Sequence, residues 1–310
     1  MITVSEAGGA GGQPLHMRLR SYFWSDRVRA AQTLLGLFWL LDGGLQFQAF
    51  MYSHGFPRML VGMAQGQPLW LHDSMVWGAK LANANLGVWN TLFALAQVGI
   101  GLGILNRASV RWALGASLGW ALIVWWFGEG FGMLFMNMAM PLTGAPGAVL
   151  LYALVGALVW PGAGPGGLLG RRGARSAWVV LWLGSAWLWL LAPSSSANGV
   201  SDALQAVPTG IAPIDSLQHS LANATRGAGL VVALCFAALS VLIALAPVLR
   251  WRAREWVALS MLINLVFWVT AQGFGGIPAG GATDPNSGPV FVLLAWTVMP
   301  LLSGEEAARS

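Results

Sequence analysis

The chain has 310 residues, of which 56% are hydrophobic and only 9% are charged. A soluble domain usually carries about 25% charged residues, so this composition excludes an ordinary water-soluble protein and predicts that lipid is part of the solvent. The net charge of +5 comes from short basic clusters beside apolar segments, which predicts a lipid bilayer, and not nucleic acid, as the partner.

Eight apolar segments follow one another along the chain, and each is long enough, or nearly so, to cross about 30 Å of hydrocarbon as a helix. The first one is long, and no small-residue cleavage site follows it, so we expect it to stay as a membrane anchor. The predicted transmembrane segments lie near 28–50, 84–105, 110–132, 146–161, 176–193, 227–249, 254–273 and 288–303.

The basic residues predict the orientation of these segments. If the N-terminus is cytoplasmic and the eight segments alternate, 13 of the 16 lysines and arginines lie inside, and only Arg58, Lys80 and Arg226 lie outside. This distribution follows the positive-inside rule. We therefore predict an all-α integral membrane protein with eight transmembrane helices and both termini in the cytoplasm.

Three pairs of similar stretches, each pair roughly 140 residues apart, indicate an internal duplication. LANANLGVWN (81–90) is similar to LANATRGAGL (221–230), WWFGEGFGM (125–133) to WVTAQGFGG (268–276), and TGAPGAVLLYALVGALVWP (143–161) to DPNSGPVFVLLAWTVMP (284–300). Since each unit has an even number of helices, the two are expected to be parallel repeats. The predicted organisation is a cytoplasmic arm (1–27), a first four-helix unit (28–161), a basic glycine-rich cytoplasmic linker (162–175), a second four-helix unit (176–303) and a cytoplasmic tail (304–310).

The acids within these helices belong to the first unit alone. The GFG of WWFGEGFG recurs in the second unit, which predicts a role in helix ending and close packing. Glu129 itself corresponds to Gln272, and Asp42 corresponds to an apolar stretch. Counted from the inner end of its helix, Asp42 lies about two-thirds of the way across, and Glu129 lies near the outer boundary.

If the first three helices pack together, Asp42 and Glu129 should line an outward-facing polar cavity. Ionisable residues at membrane depth usually face protein or water, so we expect these carboxyls to exchange protons. Two alternatives stay open for Glu129: a hydrogen bond to the loop that follows it, or an ion pair with Lys80 or Arg58. For Asp42 the alternative is a buried hydrogen bond to the asparagines of the second helix. The expected contacts to a bound cofactor are Asn83, Asn85, Trp125 and Trp126.

Metal and haem sites have weaker support in the sequence. No histidine falls inside a predicted transmembrane helix, so we expect no haem. Methionines are concentrated at the outer face of the first unit, and thioether and imidazole ligands there could hold Cu(I), although methionine also fills irregular gaps. The single cysteine, Cys235, is expected to be buried and excludes an internal disulfide. The candidate copper ligands are His54, His72, Met136 and Met138.

Three stretches of the first unit resemble a known family: RAAQTLLGLFWLLDGGLQF in the first helix, NTLFALAQVGIGLGIL in the second and ALIVWWFGEGFG at the end of the third. They are similar to the DoxX/DoxD family of four-helix bacterial membrane proteins. Some members of that family are membrane subunits of thiosulfate:quinone oxidoreductase. The resemblance covers 28–161 and implies a bacterial plasma membrane location, quinone as a cofactor, a further membrane or extracytoplasmic subunit as partner, and Asp42 and Glu129 as the site residues.

We therefore expect a multi-pass DoxX/DoxD-like subunit of a quinone-linked redox system. In it, Glu129 or Asp42 would accept the proton of a quinol or guard the headgroup cavity. Two alternatives stay open, namely a structural or copper-handling assembly subunit and a small-molecule transporter. Beyond the first two residues at their cytoplasmic ends, the inner halves of the predicted helices contain no charged residue, which argues against an ion path through the whole protein.

Overall fold

A computed structural model describes residues 26–304 of the chain. The predicted cytoplasmic arm and tail therefore lie almost wholly outside the described residues. Within the described range the fold is all-helical, with no β-strand. The α-helices are α1 (Arg27–Leu45), α2 (Gly55–Ala64), α3 (Leu69–Ala84), α4 (Leu86–Leu105), α5 (Val110–Phe127), α6 (Ala148–Leu158), α7 (Gly170–Leu190), α8 (Ala192–Ser195), α9 (Gly199–Gln205), α10 (Ala212–Thr225), α11 (Gly229–Leu245), α12 (Ala253–Thr270) and α13 (Ser287–Ser303).

Each of the eight predicted segments contains one helix, in order α1, α4, α5, α6, α7, α11, α12 and α13. Their ends differ from the prediction by five residues or more at three places. Helix α1 stops at Leu45, whereas the predicted segment runs to 50. Helix α5 stops at Phe127 because a left-handed turn follows it, and α7 begins at Gly170, inside the predicted linker. The long connections between the predicted segments also contain helices that the sequence did not predict, chiefly α2 and α3 after α1 and α9 and α10 after α7.

Three helices, α4, α5 and α12, are long and apolar enough to cross a membrane. A fourth span is possible if α10 and α11 count together, although they bend by 102° at the break between them. Helices α6 and α13 are apolar but have only 11 and 17 residues. Eleven residues rise by roughly 17 Å, well short of about 30 Å of hydrocarbon. By length and composition, the structure thus shows three or four candidate spans, fewer than the eight predicted.

Large apolar side chains face outward along α4, α5, α7, α11 and α12. Cys235 on α11 is also exposed, so the expectation that this thiol is buried is wrong. Outward apolar faces of this extent are typical of surfaces that contact lipid or another protein. Side chains that leave more than half of their surface exposed include Leu95, Leu102, Trp112, Val180, Val231 and Leu262.

Helix pairing is similar in the two halves of the chain. Helix α1 packs mainly on α4, and α5 packs on α6; in the second half α7 packs mainly on α11, and α12 on α13. Helices α6 and α13 also pack on each other and join the halves. Gly36 and Gly101 allow α1 and α4 to approach closely, because a Cβ at Gly101 would lie 2.8 Å from the Gly36 carbonyl oxygen.

The turns after α5 and α12 have the same backbone conformation. Phe131 and Gly132 have φ values of 56° and 64°, and Phe274 and Gly275 have φ values of 55° and 71°. Left-handed backbone of this kind ends an α-helix and favours glycine. The prediction that the GFG motif ends both helices is confirmed.

A tryptophan fixes each of these turns against the loop that precedes the next helix. Trp125 Nε1 donates to the Pro146 carbonyl oxygen at 2.8 Å, and Trp268 Nε1 donates to the Pro285 carbonyl oxygen at 2.7 Å. Each indole also meets the phenylalanine of its GFG motif edge-on, with ring centroids 4.8 and 5.0 Å apart. Trp125, predicted to contact a cofactor, thus has a structural role in this turn.

Candidate functional site

A cavity of about 510 Å³ lies in the first half of the molecule, between α1, α3, α4 and α5. Its volume is in the range of pockets that hold small molecules and cofactors. The wall is mainly apolar and is completed by the segment before α6 and by the loop that precedes α13. Aromatic rings in the wall include Trp39, Phe56, Trp77, Trp89, Trp120 and Phe127.

Helix α1 contributes Asp42 to this wall, as predicted. Trp39, Asp42 and Gln46 are spaced by three and four residues, so they share one face of the helix, and all three line the cavity. Asp42 is only 3% exposed, and its Oδ1 has no hydrogen-bond partner. The hydroxyl of Tyr152 on α6 lies beside this carboxyl and interacts with it, although the two groups are not in good hydrogen-bonding geometry.

Glu129 enters the cavity from the turn that ends α5. Its Oε1 accepts a hydrogen bond from the Val149 backbone N–H at 3.3 Å, whereas its Oε2 is buried without a partner. Gly147, with a φ of 111°, leaves room for Oε2, which a Cβ at that position would strike. The predicted hydrogen bond between Glu129 and the following loop is therefore present. No ion pair joins Glu129 to Lys80 or Arg58 among the described residues.

Burial is the main influence on the Glu129 carboxyl. Burial and, to a smaller extent, the charge of Asp284 raise the pKa of Glu129 to about 8, against the opposing effect of the Val149 and Ala148 backbone N–H groups. At neutral pH the protonated form of Glu129 therefore predominates. Its Oε2 can then donate a hydrogen bond into the cavity and release a proton at moderate cost.

A third acid, Asp284, joins the cavity from the second half of the chain. The sequence analysis did not predict it there, because a single loop aspartate before proline gives no local signal beyond a turn. The turn is present: Asp284 Oδ1 accepts from the Asn286 backbone N–H and Oδ2 from Thr283 Oγ1, both at 2.7 Å. Burial raises the pKa of Asp284, and these two hydrogen bonds oppose the rise.

The loop that contains Asp284 is held against the first half of the chain by Gln48. Gln48 Nε2 donates to the Ala282 carbonyl oxygen at 3.1 Å, across 234 residues of sequence. This contact places Asp284 near Glu129 and Asp42, so that three carboxyls share one cavity. The site therefore depends on both halves of the molecule.

Several buried polar atoms around the cavity have no hydrogen-bond partner. Gln46 and Gln97 each have an unpaired side-chain oxygen, and Trp120 has an unpaired Nε1. Gln97 is 6% exposed, so bulk solvent does not compensate for the missing partner. Because most buried polar groups in proteins are hydrogen-bonded, unpaired ones that line a cavity indicate where a ligand would bind.

The structure places none of the four predicted cofactor contacts in the cavity wall, because their polar groups have other partners. Asn83 Oδ1 meets His54 Nδ1 at 2.8 Å, and Asn85 Oδ1 caps α4 by accepting from a backbone N–H. Trp126 Nε1 donates to Ser74 Oγ, and Trp125 belongs to the turn described above. The tryptophans that line the cavity are instead Trp39, Trp77, Trp89 and Trp120.

The candidate copper ligands have different neighbours in the structure. His54 is bonded to Asn83, His72 Nδ1 lies 2.9 Å from Asp73 Oδ1, and Met138 lines the cavity. Across residues 26–304 no group of three or more His, Cys, Asp or Glu side chains is placed to hold a metal ion. Copper binding through the methionines stays a prediction.

No protein-family model matches the chain, and no curated protein or solved structure is significantly similar to it. A functional proposal must therefore rest on the cavity and its chemistry.

Proposed function

We propose that this protein is a DoxX/DoxD-like subunit of a quinone-linked redox system in the bacterial plasma membrane. Its cavity would bind the quinone ring, and Glu129, together with Asp42, would exchange protons with it. The proposal rests mainly on one observation: these acids line the same aromatic cavity as unpaired amide and indole groups.

The proposed membrane arrangement has eight spans in two parallel four-helix repeats, with both termini inside. The repeated turns support the duplication, since the same tryptophan, phenylalanine and glycines fix the chain after α5 and after α12. The similar helix pairs and the outward apolar faces of α7 and α11 support spans beyond the three that are long and apolar by themselves.

The cavity walls suit a quinone ring, which is flat and apolar and carries oxygen atoms on opposite sides. Trp39 and Trp120 provide aromatic surface against which such a ring can pack. The unpaired Trp120 Nε1 and a protonated Glu129 can donate to the oxygens of a quinone. The side-chain oxygen of Gln97 can accept from the hydroxyl of a quinol.

The proton chemistry of the site follows from the position of Glu129. Reduction of a quinone consumes two electrons and two protons. Glu129 can supply one of the two protons near neutral pH, since burial holds the pKa of its carboxyl at about 8, and Asp42 would supply the other. The electrons would come from a partner subunit that oxidises thiosulfate, as the family resemblance implies.

The cavity extends to the outer surface of the helices. Trp77 and Ile123 line it and are nevertheless 61% and 50% exposed, and Met138 is similarly open. Ile123 lies on α5, and the neighbouring side chain of Leu122 is also exposed on the outside of the helices. This opening offers a path for the hydrocarbon tail of a membrane quinone while the ring occupies the chamber.

Quinone binding can be tested on the purified full-length protein in detergent. Quinones quench indole fluorescence, and several tryptophans line the cavity, so titration with decylubiquinone should give saturable quenching at one site. Glu255→Gln, which alters an exposed acid in the first turn of α12, provides a control that should bind normally. Quenching that rises linearly without saturating, and that an excess of phospholipid does not change, would contradict the proposal.

A further inference from the structure

The charges that line the cavity all have one sign. Asp42, Glu129 and Asp284 contribute to its wall, and no lysine, arginine or histidine does so among the described residues. Asp284 has a hydrogen-bond partner for each of its oxygens, whereas Glu129 Oε2 and Asp42 Oδ1 have none. The cavity thus has three acids and no compensating cation of its own.

A buried carboxylate without a counter-charge is costly, so an empty cavity favours the neutral, protonated acids. A bound cation would reverse this preference and stabilise the ionised form. Asp42 is only 3% exposed and its Oδ1 has no partner, so this oxygen is available to pair with a cation that enters the chamber.

The rest of the wall favours a large organic cation over a metal ion. A hydrated metal ion would need several oxygen ligands, whereas most of the lining is apolar. Aromatic faces attract cations, most strongly those of tryptophan, and their effect grows when water is excluded. Trp39, Trp89 and Trp120 all contribute to the wall alongside the acids.

We infer that this cavity binds lipophilic organic cations, with Glu129, Asp42 and Asp284 as counter-charges and the indole rings as an aromatic cage. This inference goes beyond the quinone-linked function and does not require it. It assigns a second ligand class to the chamber, consisting of quaternary ammonium and phosphonium compounds with aromatic or hydrocarbon substituents.

Cation binding should depend on pH through proton displacement. The titratable groups that face Glu129 are Asp284, Asp42 and Tyr152, and none of them carries a positive charge. Since Glu129 is mostly protonated at pH 6 and about half ionised near pH 8, affinity should rise across this interval by at least about tenfold. Quinone binding, by contrast, is favoured by the protonated acid.

The test is equilibrium binding of radiolabelled tetraphenylphosphonium to the purified full-length protein at pH 6, 7 and 8. Triphenylphosphine oxide, a neutral compound of similar shape, measures the contribution of apolar contact alone. We expect saturable phosphonium binding that strengthens with pH, little displacement by the oxide, and a loss of about tenfold in affinity at pH 8 in Glu129→Gln. Asp284→Asn should weaken binding in the same direction, and Glu255→Gln should leave it unchanged.

Three outcomes would overturn the inference: no saturable binding, equal binding of the neutral compound, or wild-type affinity with wild-type pH dependence in both Glu129→Gln and Asp284→Asn. Decylubiquinone quenching in the same preparation separates the two proposals. Quenching without phosphonium binding overturns only the cation inference, and phosphonium binding without quenching overturns only the quinone function.

Discussion

Glu129 and Gln272 occupy the same position in two turns that have the same backbone conformation. Glu129 Oε1 accepts from the Val149 backbone N–H at 3.3 Å, and Gln272 Oε1 accepts from the Gly288 backbone N–H at 3.1 Å. The second oxygen of Glu129 is unpaired in the cavity, whereas Gln272 Nε2 donates to the Leu142 carbonyl oxygen at 3.5 Å. The amide of Gln272 is thus hydrogen-bonded through both its oxygen and its nitrogen, whereas the Glu129 carboxyl has one oxygen without a partner.

Glu129→Gln should fold and should be less sensitive to alkaline pH than the wild type. Burial raises the folded-state pKa of Glu129, so its contribution to stability is full below the unfolded pKa of about 4.5 and is lost as pH rises through about 8. Thermal unfolding followed at pH 6 and pH 9 should show a smaller fall in Tm for the variant, with a difference on the order of 5 °C. An equal fall in Tm for the two proteins would mean that the pKa of Glu129 is not raised in the folded state.

Gln272→Glu should destabilise the protein without adding activity. Gln272 is 1% exposed, and a carboxylate there would face the Leu142 carbonyl oxygen with no hydrogen to donate. Replacing a paired amide by an unpaired acid in a buried site costs about 1–3 kcal/mol. Thermal unfolding at pH 8 measures this loss, and an unchanged Tm would show that the site is better hydrated than the structure indicates.

Gln97→Leu should separate stability from binding. The unpaired oxygen of this buried amide lowers stability, so an apolar replacement of similar size should leave the Tm unchanged or raise it. The same substitution removes a hydrogen-bonding partner of a ligand and should weaken decylubiquinone binding about tenfold. A variant with lower Tm and normal binding would show that Gln97 has a structural partner instead.

Single cysteines can test the proposed orientation of the membrane spans. In a Cys235→Ser background, Ala163→Cys lies in the exposed segment before α7, and Ala279→Cys lies in the exposed loop before α13. The proposed topology places Ala163 inside and Ala279 outside. A membrane-impermeant maleimide should label Ala279→Cys in intact cells and Ala163→Cys only after the cells are opened. Labelling of both in intact cells would contradict the eight-span arrangement.

Much of the fold could be predicted from sequence, since apolar segments reveal helices through their length. The predicted segments all contain helices, and the recurring GFG correctly marked the end of α5 and of α12. Helices α2 and α3 were not predicted, because the connection between α1 and α4 has a mixed composition and lacks a long apolar run. The number of membrane spans does not follow from the number of helices, because a helix as short as α6 can pack in the centre of the molecule without crossing a bilayer by itself.

The site could be predicted only in part. Asp42 and Glu129 stand out as acids in apolar sequence, and both line the cavity. Asp284 reaches the cavity through a contact between distant parts of the chain, which no local pattern encodes. Asn83 and Asn85 lie near the start of the second predicted segment, at the end where the acids are expected, but one pairs with a histidine and the other caps a helix, and these contacts depend on local geometry.

The central claim is that Glu129 exchanges a proton with a quinone in this cavity. The most direct test is the rate of thiosulfate-dependent quinone reduction in membranes that contain the wild type, Glu129→Gln or Glu255→Gln at equal folded amounts. We predict that Glu129→Gln lowers the rate by about 100-fold, the usual contribution of a proton-transfer group, and that Glu255→Gln retains it. Full activity in Glu129→Gln would contradict the proton role.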